Sequence, residues 1–354
     1  MAVTMPGRPL TRLDRNECTS LLPGVAEAIR GDVDGWHCYP DPDAWLLTEM
    51  LAAKLRLHPD EIVVGPGSAE LLERVLRTCV GGTRGQVVYA APAFEAYADL
   101  VRRAGAVPVA VAHGATNIDA LLAAVTPSTR AVIVCNPHNP TGAALTAADL
   151  DYLLANVGRN VLVVVDEAYK EFVADVANAD SPDGVGFVAR GHDQVVVTRT
   201  FSKAHGLAGL RVGYLAARPA LARVLRRAGL PFHVSAPAQI AAAASLRADS
   251  TLESRCSWIR GERERVRHAL HAAGFLQVPR SHANFVWIPL PSAAEAFVSH
   301  CADSGFAVRG YPGYGVRISL AAPADNAEFI RVAARARMIE QVDRCVTNSN
   351  TAMA

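Results

Sequence analysis

Lys203 stands in the run Thr200-Phe201-Ser202-Lys203, with Arg211 eight residues further on. An amine can form an imine with a carbonyl compound, and hydroxyls and a guanidinium can hold a phosphate. The loop Ala204-His205-Gly206-Leu207-Ala208-Gly209 is built of small residues that let backbone approach a ligand closely. Together these residue types suit a covalently held, phosphorylated cofactor. The chain has three lysines, Lys54, Lys170 and Lys203, so one in such a loop calls for a chemical reason. Taken alone, Lys203 reads equally well as a solvated surface lysine.

Two further strand ends carry comparable chemistry. The valine-rich runs at 131–135, 161–165 and 195–197 lie roughly 30 residues apart, as buried strands of a mostly parallel sheet do. The first leads into Asn136-Pro137-His138-Asn139-Pro140-Thr141-Gly142, the second into Asp166-Glu167-Ala168-Tyr169, and the third into the Lys203 stretch. Ligands of such sheets bind beyond the carboxyl ends of the strands. One polar strand end can be chance, but three in succession form a constellation. A strand at 62–64 adds to it, because Gly65-Pro66-Gly67-Ser68-Ala69 then opens a helix that runs to about residue 79. Free amides and the helix dipole make that turn an anion site. It has neither the Walker nor the G-x-G-x-x-G spacing, so an ordinary strand-to-helix turn reads the same way without other phosphate groups.

The elements that must position these groups form an α/β pattern, a mostly parallel central sheet flanked by helices, with a smaller α+β domain after it. Besides the strands above, strands are expected at 13–17, 87–89, 107–111 and 212–215. Helices are expected at 23–29, 45–57, 93–104, 146–157, 219–228, 236–247 and 251–273. The last is dense in Arg and Glu and reads as a mostly solvated face. Strands at 284–288, 307–309 and 316–320 and helices at 292–304 and 325–338 complete the small domain. The expected division is an N-terminal segment, 1–40, packing with the small domain; a large ligand-binding domain, 41–235; the small C-terminal domain, 236–345; and a flexible tail, 346–354.

Composition narrows the function classes. With 354 residues, 51% hydrophobic, 19% charged and a formal net charge of +1, nothing favours nucleic acid or an anionic membrane as partner. The seven cysteines are scattered and form no C-x-x-C pair, so neither a disulfide framework nor a metal site is indicated. No leader pattern and no membrane-length apolar run is seen, which makes the cytoplasm the expected location.

In order, N-P-H-N-P-T-G, D-E-A-Y, S-K with Arg211 eight residues on, and the Arg317-Ile318-Ser319 strand resemble the fold type I pyridoxal-phosphate aminotransferases. The runs from Thr200 to Arg211, Val234-Ser235 with Gln239, and Ala283-Asn284-Phe285-Val286-Trp287-Ile288-Pro289-Leu290 are most similar to the histidinol-phosphate and aromatic amino acid branch. The resemblance spans about Leu13 to Phe329. It implies pyridoxal 5′-phosphate as cofactor, held as an imine by Lys203, which then moves the substrate's α-proton. It implies Asp166 against the pyridine nitrogen, Asn139 and Tyr169 on the phenolic oxygen, and Phe94 stacked on the ring. The phosphate falls to the amides of Ser68 and Ala69, the hydroxyls of Thr200 and Ser202, and Arg211. Tyr39 matches a tyrosine that reaches the partner's site, which implies a homodimer. For the substrate, the resemblance implies Arg317 at the α-carboxylate and Arg309 at the phosphate of histidinol phosphate, with Asn139 and Tyr39 nearby.

The implied activity is ping-pong exchange of an amino group between histidinol phosphate or an aromatic amino acid and 2-oxoglutarate or glutamate. A related aminotransferase, decarboxylase or lyase acting on another amino acid is the alternative. Three features depart from the family pattern: a short arm before Leu13, Cys18 after Asn16-Glu17, and the insert Gly310-Tyr311-Pro312-Gly313-Tyr314-Gly315. They leave the cofactor residues intact and bear on the substrate. A DNA-binding regulator of related fold would need more than the dozen or so residues before Leu13. A nicotinamide enzyme would need G-x-G-x-x-G after a strand.

Overall fold

A two-residue strand, β1 (Thr11–Arg12), precedes a set of valine-rich strands that build one seven-stranded sheet. These are β2 (Ile62–Gly65), β3 (Gln86–Ala91), β4 (Val107–Ala112), β5 (Thr129–Cys135), β6 (Leu162–Asp166), β7 (Val195–Thr200) and β8 (Gly213–Ala217). Their spatial order is β2-β8-β7-β6-β5-β3-β4, parallel throughout except that β8 runs antiparallel to both β2 and β7. The computed structural model describes residues 10–80, 82, 84–112, 115, 117–173 and 183–351. The chain divides into two units, Glu17–Ser257, which holds this sheet, and Met1–Asn16 with Trp258–Ala354.

The sheet explains the level at which the polar strand ends emerge. In the parallel register Cys135 lies opposite Asp166, and Asp166 opposite Thr198, so β5, β6 and β7 finish side by side. All residues of these three strands except Arg130 and Leu162 are buried, which suits their unbroken β-branched runs. The helix Ser68–Cys79 lays Leu71, Leu72, Val75 and Leu76 on Val87, Ala131, Val164 and Val196, forming the core of this unit. That packing sets the helix start beside the ends of the central strands.

In the other unit, β9 (Phe285–Pro289), β10 (Phe306–Ala307), β11 (Arg309–Tyr311) and β12 (Gly315–Ser319) form two small sheets. One is antiparallel, ordered β11-β12-β9, and the other pairs β1 with β10 in parallel. The insert expected between the two arginines is the turn of the β11–β12 hairpin, closed by the Tyr314 amide on the Tyr311 carbonyl at 3.0 Å.

Several elements differ from expectation, each for a local reason. The strand expected at 13–17 is replaced by β1: the Leu13 amide and carbonyl bond to Ala307 and Ser319, and Asn16 turns the chain with φ of 56°. Two short helices, Ile118–Ala123 and Gly184–Ala189, arise from side-chain caps at Asn117 and Asp183. The unit boundary falls at 257/258 rather than 235/236, because the helix Ala236–Leu246 packs on the helices Val25–Arg30 and Trp45–Leu55 of the sheet unit. The last helix, Pro323–Thr351, runs through most of the expected tail, with no glycine or proline after Pro323 to stop it; residues 352–354 lie outside the described residues. The helix Asp249–Ala272 is not simply a solvated face: Glu262 and Arg263 are buried, Glu262 pairs with Arg265 at 2.6 Å, and the Arg263 guanidinium bonds the Ala283 carbonyl at 2.9 Å.

Candidate active site

Asp166 ends β6 as a buried carboxylate. It accepts a hydrogen bond from the Tyr97 hydroxyl at 2.7 Å and another from the Ala168 amide at 3.2 Å. Burial pushes its pKa up, and these two donors oppose that rise. A buried carboxylate bonded in this way is suited to a cationic N–H, which would offset its desolvation. The next residue, Glu167, is fully buried in a different task. It accepts from Arg199 Nε at 2.9 Å and Nη2 at 2.7 Å, and from the Gly184 amide at 2.8 Å. Arg199 also pairs with Asp183 at 2.6 Å. Successive strand residues face opposite ways, so the D-E pair divides into one site carboxylate and one structural ion pair.

Asn139 and Tyr169 are both buried at the ends that follow β5 and β6. The Asn139 amide donates to Cys135 Sγ at 3.4 Å, and Asn136 Oδ1 accepts from the Leu145 amide at 2.9 Å, so the Asn-Pro loop is held by its own side chains. His138 Nδ1 lies 2.9 Å from the Thr141 hydroxyl, and burial lowers its pKa to about 4. Lys203 Nζ stands 5.7 Å from the centroid of the Tyr169 ring. The lysine and the D-E-A-Y tyrosine thus meet, as their strand ends predict. Phe94 packs edge-on against Tyr97 with centroids 5.5 Å apart, which ties it to the Asp166 corner.

The candidate phosphate cradle is built from four elements. Thr200 Oγ1 donates to Ser202 Oγ at 2.9 Å and accepts from the Ser202 amide at 3.1 Å. Arg211 Nη1 bonds Ser202 Oγ at 3.3 Å and the Ala208 carbonyl at 2.9 Å. Its Nη2 comes so close to Gly67 that a Cβ there would sit 2.7 Å away, and Gly67 also has φ of 92°. The start of β8 crowds the same place, since a Cβ on Gly213 would lie 2.9 Å from the Ser68 amide nitrogen. A guanidinium, two hydroxyls and the open amides of Ser68 and Ala69 at a twelve-residue helix therefore converge. Dianionic phosphate fits that donor set.

Tyr39 is not brought to this cluster within its own chain. It is 83% exposed and stacks on Phe232, ring centroids 4.7 Å apart. Arg309 and Arg317 belong to the other unit, where they are direct partners across β11 and β12 and so share a face. Arg317 is buried there, donating to the Asp14 carbonyl at 2.6 Å and to the Tyr311 hydroxyl at 3.2 Å, while Arg309 is exposed. Tyr97 was missed as a partner of a site residue; it lies outside any motif and is joined to the Asp166 carboxylate only by folding. Tyr311 belongs to the insert singled out in sequence as bearing on the substrate, and folding joins it to the Arg317 guanidinium.

The family model of class I and II aminotransferases matches residues 8–344. The chain belongs to this family. Such enzymes work with pyridoxal 5′-phosphate, and this chain is a pyridoxal-phosphate-dependent aminotransferase with the fold type I architecture. It is similar to an aromatic amino acid aminotransferase of Rhodococcus jostii (strain RHA1), 43% identical over 91% of this chain and 89% of that one. It is 44% identical to another from Thermobifida fusca (strain YX), over 88% and 86% of the two chains. Among solved structures it resembles histidinol-phosphate aminotransferase from Sinorhizobium meliloti in complex with pyridoxal-5′-phosphate, with a TM-score of 0.85, 27% identity, and 93% and 91% of the chains covered. Among the described residues no helix is long and apolar enough to cross a membrane.

Proposed function

We propose that this aminotransferase exchanges an amino group between an aromatic amino acid or histidinol phosphate and 2-oxoglutarate, in two half-reactions at one site. The observation that carries the reading is the meeting of Lys203 Nζ with the Tyr169 ring, 5.7 Å from its centroid, beyond the carboxyl ends of the central strands, where Asp166 ends β6. The relatives named aromatic amino acid aminotransferase support the substrate class.

The roles follow from what each group can do where it stands. The cofactor supplies a carbonyl carbon for the lysine and a ring that accepts electrons. Ser68, Ala69, Thr200, Ser202 and Arg211 would hold its phosphate, and Asp166 would keep its ring nitrogen protonated. Tyr169 and Asn139 would donate to its phenolic oxygen, with Phe94 against its face. Lys203 then acts as an acid and base, taking a proton from the substrate's α-carbon at Nζ and returning it on the other side of the exchange. Arg317 would bind the substrate carboxylate through its planar fork. Arg309, on the same face of its hairpin, would add a second cation for a phosphate-bearing substrate. We further propose a homodimer in which the exposed Tyr39 serves the partner's site.

A panel of aromatic amino acids, histidinol phosphate and aliphatic controls, each mixed with enzyme and 2-oxoglutarate, tests the reading. Glutamate should form with the aromatic donors or histidinol phosphate, and Lys203→Ala should lose roughly three or more orders of magnitude in rate. Carbon dioxide release without glutamate would overturn transamination. Full activity in Lys203→Ala would overturn the role of the lysine.

A further inference from the structure

We infer that Arg255 is a positioning residue for the cofactor lysine, its guanidinium tying the Lys203 loop to the chain segment 18–21. This rests on the reading of Lys203 given above. Arg255 lies in the second turn of the helix Asp249–Ala272. Its Nη1 donates to the Ala204 carbonyl at 2.9 Å. Its Nη2 donates to the carbonyls of Ser20 and Leu21, both at 3.0 Å, and to the Ser20 hydroxyl at 3.3 Å. Three backbone carbonyls from two separate segments thus converge on one planar fork, a geometry that an ammonium cannot reproduce.

Two independent contacts show that the loop and the segment press directly on one another. Gly206 has φ of 76°, and a Cβ on it would stand 2.7 Å from the Ser20 carbonyl oxygen and 3.2 Å from Arg255 Nη1. Only glycine meets both demands. Beside it, Cys18 Sγ donates to the carbonyl of Lys203 itself at 3.0 Å. That same carbonyl accepts the Gly206 amide at 2.9 Å, closing the turn that carries the lysine, and the Leu207 amide returns to the Phe201 carbonyl at 2.9 Å. On the other side His205 packs on Phe201 with centroids 4.7 Å apart and sits 3.0 Å from Ser245 Oγ. The Ser245 hydroxyl donates to the Ala242 carbonyl at 2.9 Å, so it is His205 Nδ1 that carries the proton in this bond. The turn is therefore held from both flanks, and Arg255 closes the flank that secondary structure does not. Fixing the lysine backbone fixes the direction in which its side chain leaves, towards Tyr169.

The test uses the holoenzyme carrying Arg255→Met or Arg255→Lys. In Arg255→Met the Gly206 and Leu207 amides should exchange with solvent about tenfold or more faster, while those of β7 keep their wild-type rates. The kcat should fall about tenfold with KM for the amino donor held within about twofold, and Arg255→Lys should lie between Met and wild type in both readouts. Gly206→Ala, which leaves Arg255 in place, should loosen the same two amides. Unchanged exchange at Gly206 and Leu207 would overturn the inference. So would faster exchange spread equally over β7, which marks general loss of stability, or faster local exchange with kcat intact. Failure of the lysine reading shows separately, as retained activity in Lys203→Ala.

Discussion

The Asp166 carboxylate is where burial and function pull against each other. Desolvation favours its neutral form, and Tyr97, itself fully buried, offsets this by donating a hydrogen bond of 2.7 Å. Removing that donor in Tyr97→Phe should cost about 1.5–3 kcal/mol of stability, since the bond is to a charged group. It should also raise the pKa of Asp166 further, because a bond to the ionised form is lost. The acid limb of the pH profile of kcat/KM should move to higher pH, while Phe at a distant buried tyrosine should leave it in place. An unmoved limb would show that Tyr97 packs without tuning the carboxylate. Lys203, Asp166, Tyr169 and Asn139 were legible in sequence because each sits in a short run directly after a strand. Tyr97 and Arg255 were not, because their partners lie 69 and 51 residues away and are met only through packing. Nor does D-E-A-Y tell which carboxylate serves the site; that follows from the alternation of β6 and from Arg199 claiming Glu167.

The elements after β5 and β7 carry buried histidines that make their stability depend on pH. Burial lowers His138 to about 4 and His205 to about 3, against an ordinary value near 6.5. Between those values the unfolded chain binds protons that the folded chain does not, so both contribute stability above about pH 6.5 that is lost as pH falls. Glu171 works the other way: burial raises it to about 7, so the folded chain gains relative stability as pH falls from about 7 towards the ordinary glutamate range. His205→Gln separates the terms. The unfolding free energy of the variant, measured by denaturant titration, should fall less than that of wild type between pH 6.5 and 4, by on the order of a kcal/mol or more. Parallel curves would mean that His205 does not set the slope. At this scale the long buried strands were readable from β-branched runs, and the helices Ser68–Cys79 and Ala147–Asn156 from glycine and Thr146 at their starts. The helices Ile118–Ala123 and Gly184–Ala189 were not, because six residues give no helical period to detect and only the capping side chains mark them.

For the molecule as a whole, the proposed homodimer turns on Tyr39. Its ring is 83% exposed on a stack with Phe232, and Leu230 and Trp45 are 77% and 59% exposed, apolar surface that the proposed homodimer would cover. If Tyr39 bonds the cofactor phosphate in the partner's site, Tyr39→Phe should weaken cofactor binding by about 1.5–3 kcal/mol, or roughly tenfold to a hundredfold. That loss alone does not say whose site is served, but subunit mixing does. In a mixed dimer of Lys203→Ala with Tyr39→Phe, one site combines its own alanine with the partner's phenylalanine, and the other combines an intact lysine with an intact tyrosine. Random exchange makes about half of the dimers mixed, so about a quarter of all sites should regain wild-type behaviour. At limiting cofactor the mixture should therefore exceed the mean of the two separate proteins. If Tyr39 instead serves its own chain, every intact lysine faces a phenylalanine and mixing restores nothing. A mixture no more active than that mean, with subunit exchange verified by mass, would return Tyr39 to its own subunit.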